Sequence, residues 1–382
     1  MPHYARRAFA CCFVLACPAS ALADVEYLDS EQGRVTVEAI AEGLEHPWAV
    51  AFLPGGAGML VTERPGRLRI VGGDGRLSEP LTGVPEVYAR GQGGLLDVHL
   101  SPDFQQDRLV YLSYAEAGES GKAGTAVGRG RLADDLSGLE GFTVIFRQQP
   151  KLSTGIHFGS RLVFDGDGHL FIALGENNQR PTAQDLDKLQ GKLVRIYPDG
   201  EVPDDNPFVT AEGARPEIWS YGHRNQQGAA FNPWSGRLWT HEHGPRGGDE
   251  INIPGPGRNY GWPLATHGIN YGGQPVPEAK GEVVEGTEPP HYVWETSPGI
   301  SGMAFYDSEA FPQWQHNLFI GALVDQSLIR LQLDGDKITH EERLLKQIGA
   351  RIRDVRLGPD GHLYLLTDSP SGKLLRVGLD AR

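Results

Sequence analysis

The sequence predicts an all-β fold, a six-bladed β-propeller whose long loops form a site at the mouth of its central channel. Three observations carry this expectation. Gly and Pro make up 51 and 27 of the 382 residues, and both interrupt helices. Periodic helical stretches are few; "RPTAQDLDKLQGK" is the best short helix candidate, and it too is interrupted. One phrase recurs along the chain: an apolar strand ending in Phe or Leu, a turn with Pro, Asp or Gly, and a second apolar strand.

The repeats follow in order. "AVAFLPGGAGMLVTE" carries the anchor Phe52, "LLDVHLSPDFQQDRLVYLSY" carries Leu100, and "SRLVFDGDGHLFIALGE" carries Phe164. "QGAAFNPWSGRLWTHE" carries Phe231, "SGMAFYDSEAFPQWQHNLFIGAL" carries Phe305, and "IRDVRLGPDGHLYLLTD" carries Leu357. The anchors lie 48, 64, 67, 74 and 52 residues apart, about 61 on average. A strand–turn–strand unit at this spacing buries its faces only against its neighbours. Radial closure then protects the sheet edges. "RVTVEAI" near the start and "KLLRVGL" near the end are the expected closing strands. No Pro/Ser-rich linker divides the chain, so residues 24–382 are expected to form one domain.

Residues 1–23 read as a secretory signal. Arg6 and Arg7 form its basic start, Ala8 to Ala16 its apolar run, and Ala21-Leu22-Ala23 a small-residue cleavage site. The run is too short to span a bilayer. A rival reading makes Cys17 a lipid-modified N-terminus. All three cysteines, Cys11, Cys12 and Cys17, fall within the signal. The mature chain would then have no disulfide, no thiol nucleophile and no Cys-based zinc site. An exported, disulfide-free protein of this size suits a bacterial periplasm. Losing the two signal arginines takes the net charge from −14 to −16. Such a surface argues against nucleic acid as a partner.

Candidate chemistry gathers in the loops before the strands. His157, in "STGIHFGSRLVF", is flanked by small residues that suit a side chain exposed at a channel mouth, where it could act as a general base. It could equally be a half-buried loop histidine. "YGHRNQQGAAFNP" sets Arg224 and Asn225 before a strand, and "GARIRDVRLGPDG" sets Arg351 and Arg353 on one strand face. Guanidinium forks bind carboxylates bidentately, so these arginines read either as a polyanion pocket or as partners of surface acids. "HEHGPRGGDEINIPGPGRNYGW" is too rich in Gly and Pro to be helical. His241 and His243 stand two apart, a spacing that permits metal ligation, with Asp249 or Glu250 as a conceivable third ligand. A solvated strand edge is the plainer reading of the pair. Gly244-Pro245 exposes backbone carbonyls, and hard oxygen donors suit calcium rather than zinc. "DGDGHLFIALGE" is read as a hairpin turn, since its Gly168 falls too early for a calcium loop.

Taken in order, "LEHPWAVAFLP", "GQGGLLDVHLSPDF", "HFGSRLVFDGDGHLFIALGE", "LQGKLVRIYPDG", "YGHRNQQGAAFNP", "HEHGPRGGDEIN", "NYGWPLATHGINYGG" and "RIRDVRLGPDGHLYLLTD" resemble the soluble pyrroloquinoline-quinone-dependent aldose sugar dehydrogenases. That superfamily's fold is a six-bladed propeller. The resemblance implies that His157 is the base for the anomeric hydroxyl. It places Gln92, Arg224, Asn225, His243, Tyr271, Arg351 and Arg353 against the quinone, with Arg224 also stabilising charge at its oxygens. It makes the Gly244 and Pro245 carbonyls ligands of a catalytic Ca2+. Glu250, by side chain, and Tyr260, by backbone, become ligands of a structural Ca2+. The chain departs from the pattern at Val324, where a lysine is usual, and at His243 and Glu176, where the glucose branch has Gln and Asp. The expected partners are an aldose and a soluble or membrane-associated electron acceptor, with the protein a monomer. Two other readings stay open: a metal-dependent sugar lactonase and a non-catalytic binding propeller.

Overall fold

Six antiparallel sheets arranged in a ring account for the 24 strands found among the described residues. The computed structural model describes Met1 and residues 25–380, so the expected signal and its cysteines lie outside the described residues. Blade 1 is Pro47–Phe52, Met59–Glu63 and Arg67–Val71; blades 2 to 5 have four strands each. Their innermost strands are Leu95–Leu100, Gly159–Phe164, Gln226–Phe231 and Ile300–Tyr306, and that of blade 6 is Ile352–Leu357. Five of the expected anchors end these strands, and Phe305 sits one residue before the end. The closing strands behave as expected: Gly33–Leu44 pairs with Gly372–Leu379 and joins the two ends of the chain in blade 6. The edge strand Val25–Ser30 pairs outside it.

Between each pair of neighbouring blades lies an apolar cluster. Tyr111, Val127 and Phe146 of blade 2 meet Leu162 and Ile172 of blade 3. Trp239 and Trp294 of blade 4 meet Met303 and Ile320 of blade 5. Val50 and Val61 of blade 1 meet Leu366 and Leu374 of blade 6. Large aromatic side chains fill these wedges well because blades splay outward from the axis.

The helix candidate resolves differently. Arg180–Gln184 form only a short 3-10 turn, and Lys192 starts a strand. The Lys192 ammonium is buried and donates to the carbonyls of Thr182 (3.0 Å), Ala183 (3.0 Å) and Gln190 (2.7 Å). Tertiary hydrogen bonds thus draw the segment out of the helical path. The single α-helix among the described residues is one turn, Phe104–Asp107.

Every innermost strand carries a bulge near its start, where it gains one residue relative to its neighbour. The bulged positions include Trp48, Asp97, Arg161, Gln227 and Arg353. Bulges re-aim side chains, and here these residues reach the channel. Four charges fill it, three of them buried and Arg356 partly exposed. Arg161 Nη1 lies 3.0 Å from Asp97 Oδ1 and 3.1 Å from Asp354 Oδ1. Arg356 bridges the same acids at 2.7 and 2.9 Å. Backbone donors complete the set: Leu162 N–H to Asp97 (2.8 Å) and Val50 N–H to Asp354 (3.2 Å). Removing one acid leaves the buried Arg161 and the partly exposed Arg356 sharing one carboxylate. Asp97→Asn is therefore expected to cost about 3–5 kcal/mol, measured by urea unfolding; a change under about 1 kcal/mol would contradict the role of the cluster.

Candidate active site

Directly above this charge cluster the channel opens into a cavity of about 230 Å³. Of the residues expected at the site, Gln92, Asn225, His243, Gly244, Pro245, Tyr271, Arg351 and Arg353 line it. Arg224, Glu250 and Tyr260 lie behind one wall, in a second cavity of about 10 Å³. His243 and Gly244 belong to both. His157 is next to the main cavity rather than open at its mouth. Its side chain is 7% exposed, while its chain neighbours Phe158 and Gly159 form part of the lining.

The loops hold these groups by backbone bonds. Gln92 N–H donates to the Gly155 carbonyl (2.7 Å), and Gln92 Oε1 accepts from His157 N–H (2.8 Å). Gly91 must be glycine, because a Cβ there would stand 2.1 Å from the Gly155 oxygen. His157 adopts φ of 58°, a region L residues seldom occupy. It is kept there by Asn177, whose Nδ2 and backbone N–H both donate to the His157 carbonyl, at 3.0 and 3.2 Å.

His157 Nδ1 lies 2.8 Å from Glu176 Oε2, and this carboxylate is fully buried. The same oxygen accepts the Asn178 N–H. The pair places a proton on Nδ1 and leaves Nε2 as an acceptor with no protein partner among the described residues. Glu176 stands in the sequence as a departure from the family pattern, and the structure makes it the partner of His157. The signal was there: Gly159 pairs with Leu174, so His157 and Glu176 flank one hairpin two residues out on each side. A second dyad stands in blade 4 at a different register, since Glu242 itself pairs with Gln226, three residues after His223. His223 Nδ1 bonds Glu242 Oε1 at 2.8 Å, and Glu242 Oε2 accepts the Arg224 N–H. Arg224 then packs over Trp262 at 5.2 Å and donates to the His243 carbonyl (3.1 Å).

The two histidines of "HEHG" part company. His241 is fully buried under Gly228, and both its ring nitrogens lack partners. Burial first, then the charges of His243 and Arg161, hold its pKa well below the usual value. His243 stands just past the strand Leu238–Glu242 and lines the cavity, its Nε2 2.5 Å from the Ile300 carbonyl. No cluster of three or more His, Cys, Asp or Glu is placed to hold a metal among the described residues. Asp249, the conceivable third ligand, has another task. Its carboxylate accepts the N–H groups of Gly244 (3.0 Å), Gly299 (2.8 Å) and Ile300 (3.3 Å), which pins the Gly244–Gly248 loop to blade 5.

Oxygen donors are nevertheless exposed in this loop. The Gly244, Pro245 and Tyr260 carbonyls accept no hydrogen bond among the described residues. Glu250 and Glu242 share Asn252 Nδ2 as donor, at 2.9 and 3.1 Å, and Asn252 Oδ1 is buried without a partner. Burial first, and then Glu242, pushes the Glu250 carboxyl well above the usual range. Two buried acids and orphaned oxygens fit a hard cation.

On the opposite wall, Arg351 donates to the Leu323 carbonyl (3.1 Å) and lies 3.3 Å from Asp368, which also takes His46 at 2.8 Å. Arg353 donates to Gln227 Oε1 (2.9 Å) and has no carboxylate in ion-pair contact among the described residues. Burial, above all, lowers its pKa to about 10. Val324 is 70% exposed at the rim.

The fold and site together define a propeller with a buried histidine–carboxylate dyad beside a guanidinium-lined cavity at its channel mouth. The chain belongs to the Glucose / Sorbosone dehydrogenase family, whose model matches residues 44–376. It is 66% identical to the aldose sugar dehydrogenase YliI of Escherichia coli over 343 residues, 90% of this chain and 92% of that one. A crystal structure of the soluble aldose sugar dehydrogenase from Escherichia coli superposes with a TM-score of 0.90 at 65% identity, covering 91% of this chain and all of that one. The quinone-bound aldose sugar dehydrogenase of Streptomyces coelicolor gives 0.73 at 30% identity, covering 90% and 98%. The expected sugar dehydrogenase resemblance is borne out at the level of family, ahead of the lactonase and binding-module readings.

The dyad has a direct structural test. In Glu176→Ala the His157 ring is expected to exchange tautomers, so its nitrogen-15 shifts should move from a fixed Nδ1–H form to a mixture. Unchanged shifts would contradict the assignment.

Proposed function

We propose that this chain oxidises the anomeric hydroxyl of aldose sugars to the lactone, with pyrroloquinoline quinone held in the arginine-lined cavity. The observation that carries the reading is a buried His157–Glu176 dyad beside a cavity whose cations outnumber its available acids. Asp249 is engaged by backbone donors and Asp368 by Arg351 and His46, so Arg353 faces the cavity with no acid in ion-pair contact among the described residues. Bound there, the quinone supplies three carboxylates to be recognised and a ring carbon that accepts hydride from C1 of the sugar.

The chain's residues do the rest. Arg351 and Arg353 bind carboxylate, and Gln92, Asn225, His243 and Tyr271 complete the contact surface around the ligand. His157 Nε2 takes the proton of the anomeric hydroxyl as C1 loses its hydride, so the C1–O bond becomes the lactone carbonyl. Glu176 holds the ring in the accepting tautomer and stabilises the imidazolium. Arg224, behind the wall that His243 and Gly244 form, would orient that wall through its bond to the His243 carbonyl and, with quinone bound, would stabilise negative charge on the quinone oxygens. The Gly244 and Pro245 carbonyls are proposed to hold a Ca2+ that polarises the cofactor, and Glu250 with the Tyr260 carbonyl a second, structural Ca2+. Residues 1–23 are proposed to direct export to the periplasm and residues 24–382 to form the single working domain. It would act as a monomer that passes electrons to a soluble or membrane-associated acceptor.

Protein reconstituted with Ca2+ and quinone is expected to reduce an artificial dye when given an aldose; no reduction across mono- and disaccharides would refute the reading. His157→Ala should retain quinone and lose about 10²–10⁴ in turnover; wild-type turnover would exclude it as base. Added Ca2+ should raise the thermal midpoint of the wild type more than that of Glu250→Gln, which keeps only the Gly244–Pro245 site, by calorimetry; an equal rise in both would remove Glu250 from the metal site.

A further inference from the structure

We propose that Arg64 is a further cofactor-binding residue, its guanidinium taking a carboxylate of the quinone on the wall shared with Val324; the inference rests on the cofactor reading above. Arg64 follows the strand Met59–Glu63 of blade 1 and lines the main cavity with Val324, Arg351 and Arg353. Its backbone is fixed on both sides. The N–H donates to the His46 carbonyl and the carbonyl accepts from Leu95 N–H, each at 3.1 Å. The stem runs across Gly94, where a Cβ would stand 2.8 Å from Arg64 Cγ and 2.0 Å from its carbonyl oxygen. A side chain at position 94 would therefore displace the arginine.

What sets Arg64 apart is its lack of a partner. Arg351 has Asp368 and the Leu323 carbonyl, and Arg353 has Gln227 and the face of Trp48 at 5.8 Å. Arg64 is half-buried, and among the described residues its guanidinium has neither a hydrogen bond nor an ion pair. A partly desolvated fork of five donors is left unsatisfied at the cavity wall. It also sits close enough to Arg353 to repel it: after burial, the charges of Arg161, Arg351 and Arg64 lower the Arg353 pKa, with Asp368 opposing. An anion placed between Arg64 and Arg353 removes both defects at once. An aldose carries no charge, so the ligand that can do this is the polycarboxylate cofactor rather than the substrate.

Quinone titration in Ca2+ buffer, followed by quenching of tryptophan fluorescence, reads this directly because Trp48 lines the cavity. Arg64→Gln is expected to bind quinone about 10- to 100-fold more weakly than wild type. Arg64→Lys, which keeps the charge, should recover about half of that loss on a logarithmic scale, and so should Val324→Lys added to Arg64→Gln. The trimethyl ester of the quinone should bind wild type and Arg64→Gln alike. Equal affinity of wild type and Arg64→Gln for the free acid, or an equal loss for the ester, overturns the proposal. Should Arg64→Gln fail to fold, Arg64→Lys binding more than about 100-fold below wild type overturns it as well. A wild type that takes up no quinone at all refutes the cofactor reading itself, which is distinguishable from a wild type that binds and ignores Arg64.

Discussion

The fold depends on what fills the axis of the propeller. Six innermost strands converge there, and they leave a channel that must be closed without stranding polar groups. This chain closes it with two arginines and two aspartates. Asp97, Arg161, Asp354 and Arg356 are drawn from blades 2, 3 and 6. Blade 1 contributes the Val50 N–H, and blade 4 the Gln227 carbonyl that accepts from Arg161 Nε (3.1 Å). Blade 5 closes against the cluster through Gly302, where a Cβ would come within 2.3 Å of Asp354 Oδ1. Two positive and two negative charges cancel, and each carboxylate also has backbone donors. A buried pair stabilises to the extent that its remaining hydrogen-bonding capacity is met; in this cluster only Arg161 Nη2 and Asp354 Oδ1 are buried without a hydrogen bond among the described residues. Arg161 further packs on Trp48 at 4.3 Å, which ties the cluster to the floor of the cavity above it.

The same bulges that aim the cluster inward build the site. One added residue near the start of each innermost strand turns Trp48, Gln227 and Arg353 toward the cavity. The loops just before those strands then carry the reactive groups, so side chains far apart in sequence meet on one ring. His157 sits before blade 3, Arg224 and Asn225 before blade 4, and Arg351 before blade 6. The rigid parts engage the backbone: Gly91 packs against the Gly155 carbonyl, the Asn177 amide holds the His157 carbonyl, and the Asp249 carboxylate spans the Gly244, Gly299 and Ile300 N–H groups. A site fixed by such bonds loses little ordering entropy when a rigid, planar ligand enters.

Much of this was legible in the sequence. The anchors Phe52, Leu100, Phe164, Phe231, Phe305 and Leu357 mark the ends of the innermost strands because each strand meets its turn at a bulky residue. "RVTVEAI" and "KLLRVGL" read as partners because a ring leaves two unmatched edges at the chain ends. Gly-rich segments before strands identified the loops of the site. Other features were beyond a linear reading. A bulge is a two-against-one register between strands, so the inward turn of Asp97 and Arg161 could not be read from local alternation. The Arg180–Lys192 segment lost its helix because it folds back on itself, so that the Lys192 ammonium caps the segment's own Thr182, Ala183 and Gln190 carbonyls in a buried position. Glu176 was within reach through hairpin register, but composition drew attention to the histidine alone. In "HEHG" the spacing of two hid opposite fates, since the strand ends between His241 and His243.

The central claim is that the arginine-lined cavity above the buried charges is the cofactor site and that His157 serves it. A crystal structure of the protein with Ca2+ and pyrroloquinoline quinone tests this most directly. The account predicts quinone density in that cavity, carboxylates within hydrogen-bond distance of Arg351 and Arg353, and His157 Nε2 facing the space beside the ring. Quinone density elsewhere on the molecule, or His157 Nε2 turned away from it, would contradict the account.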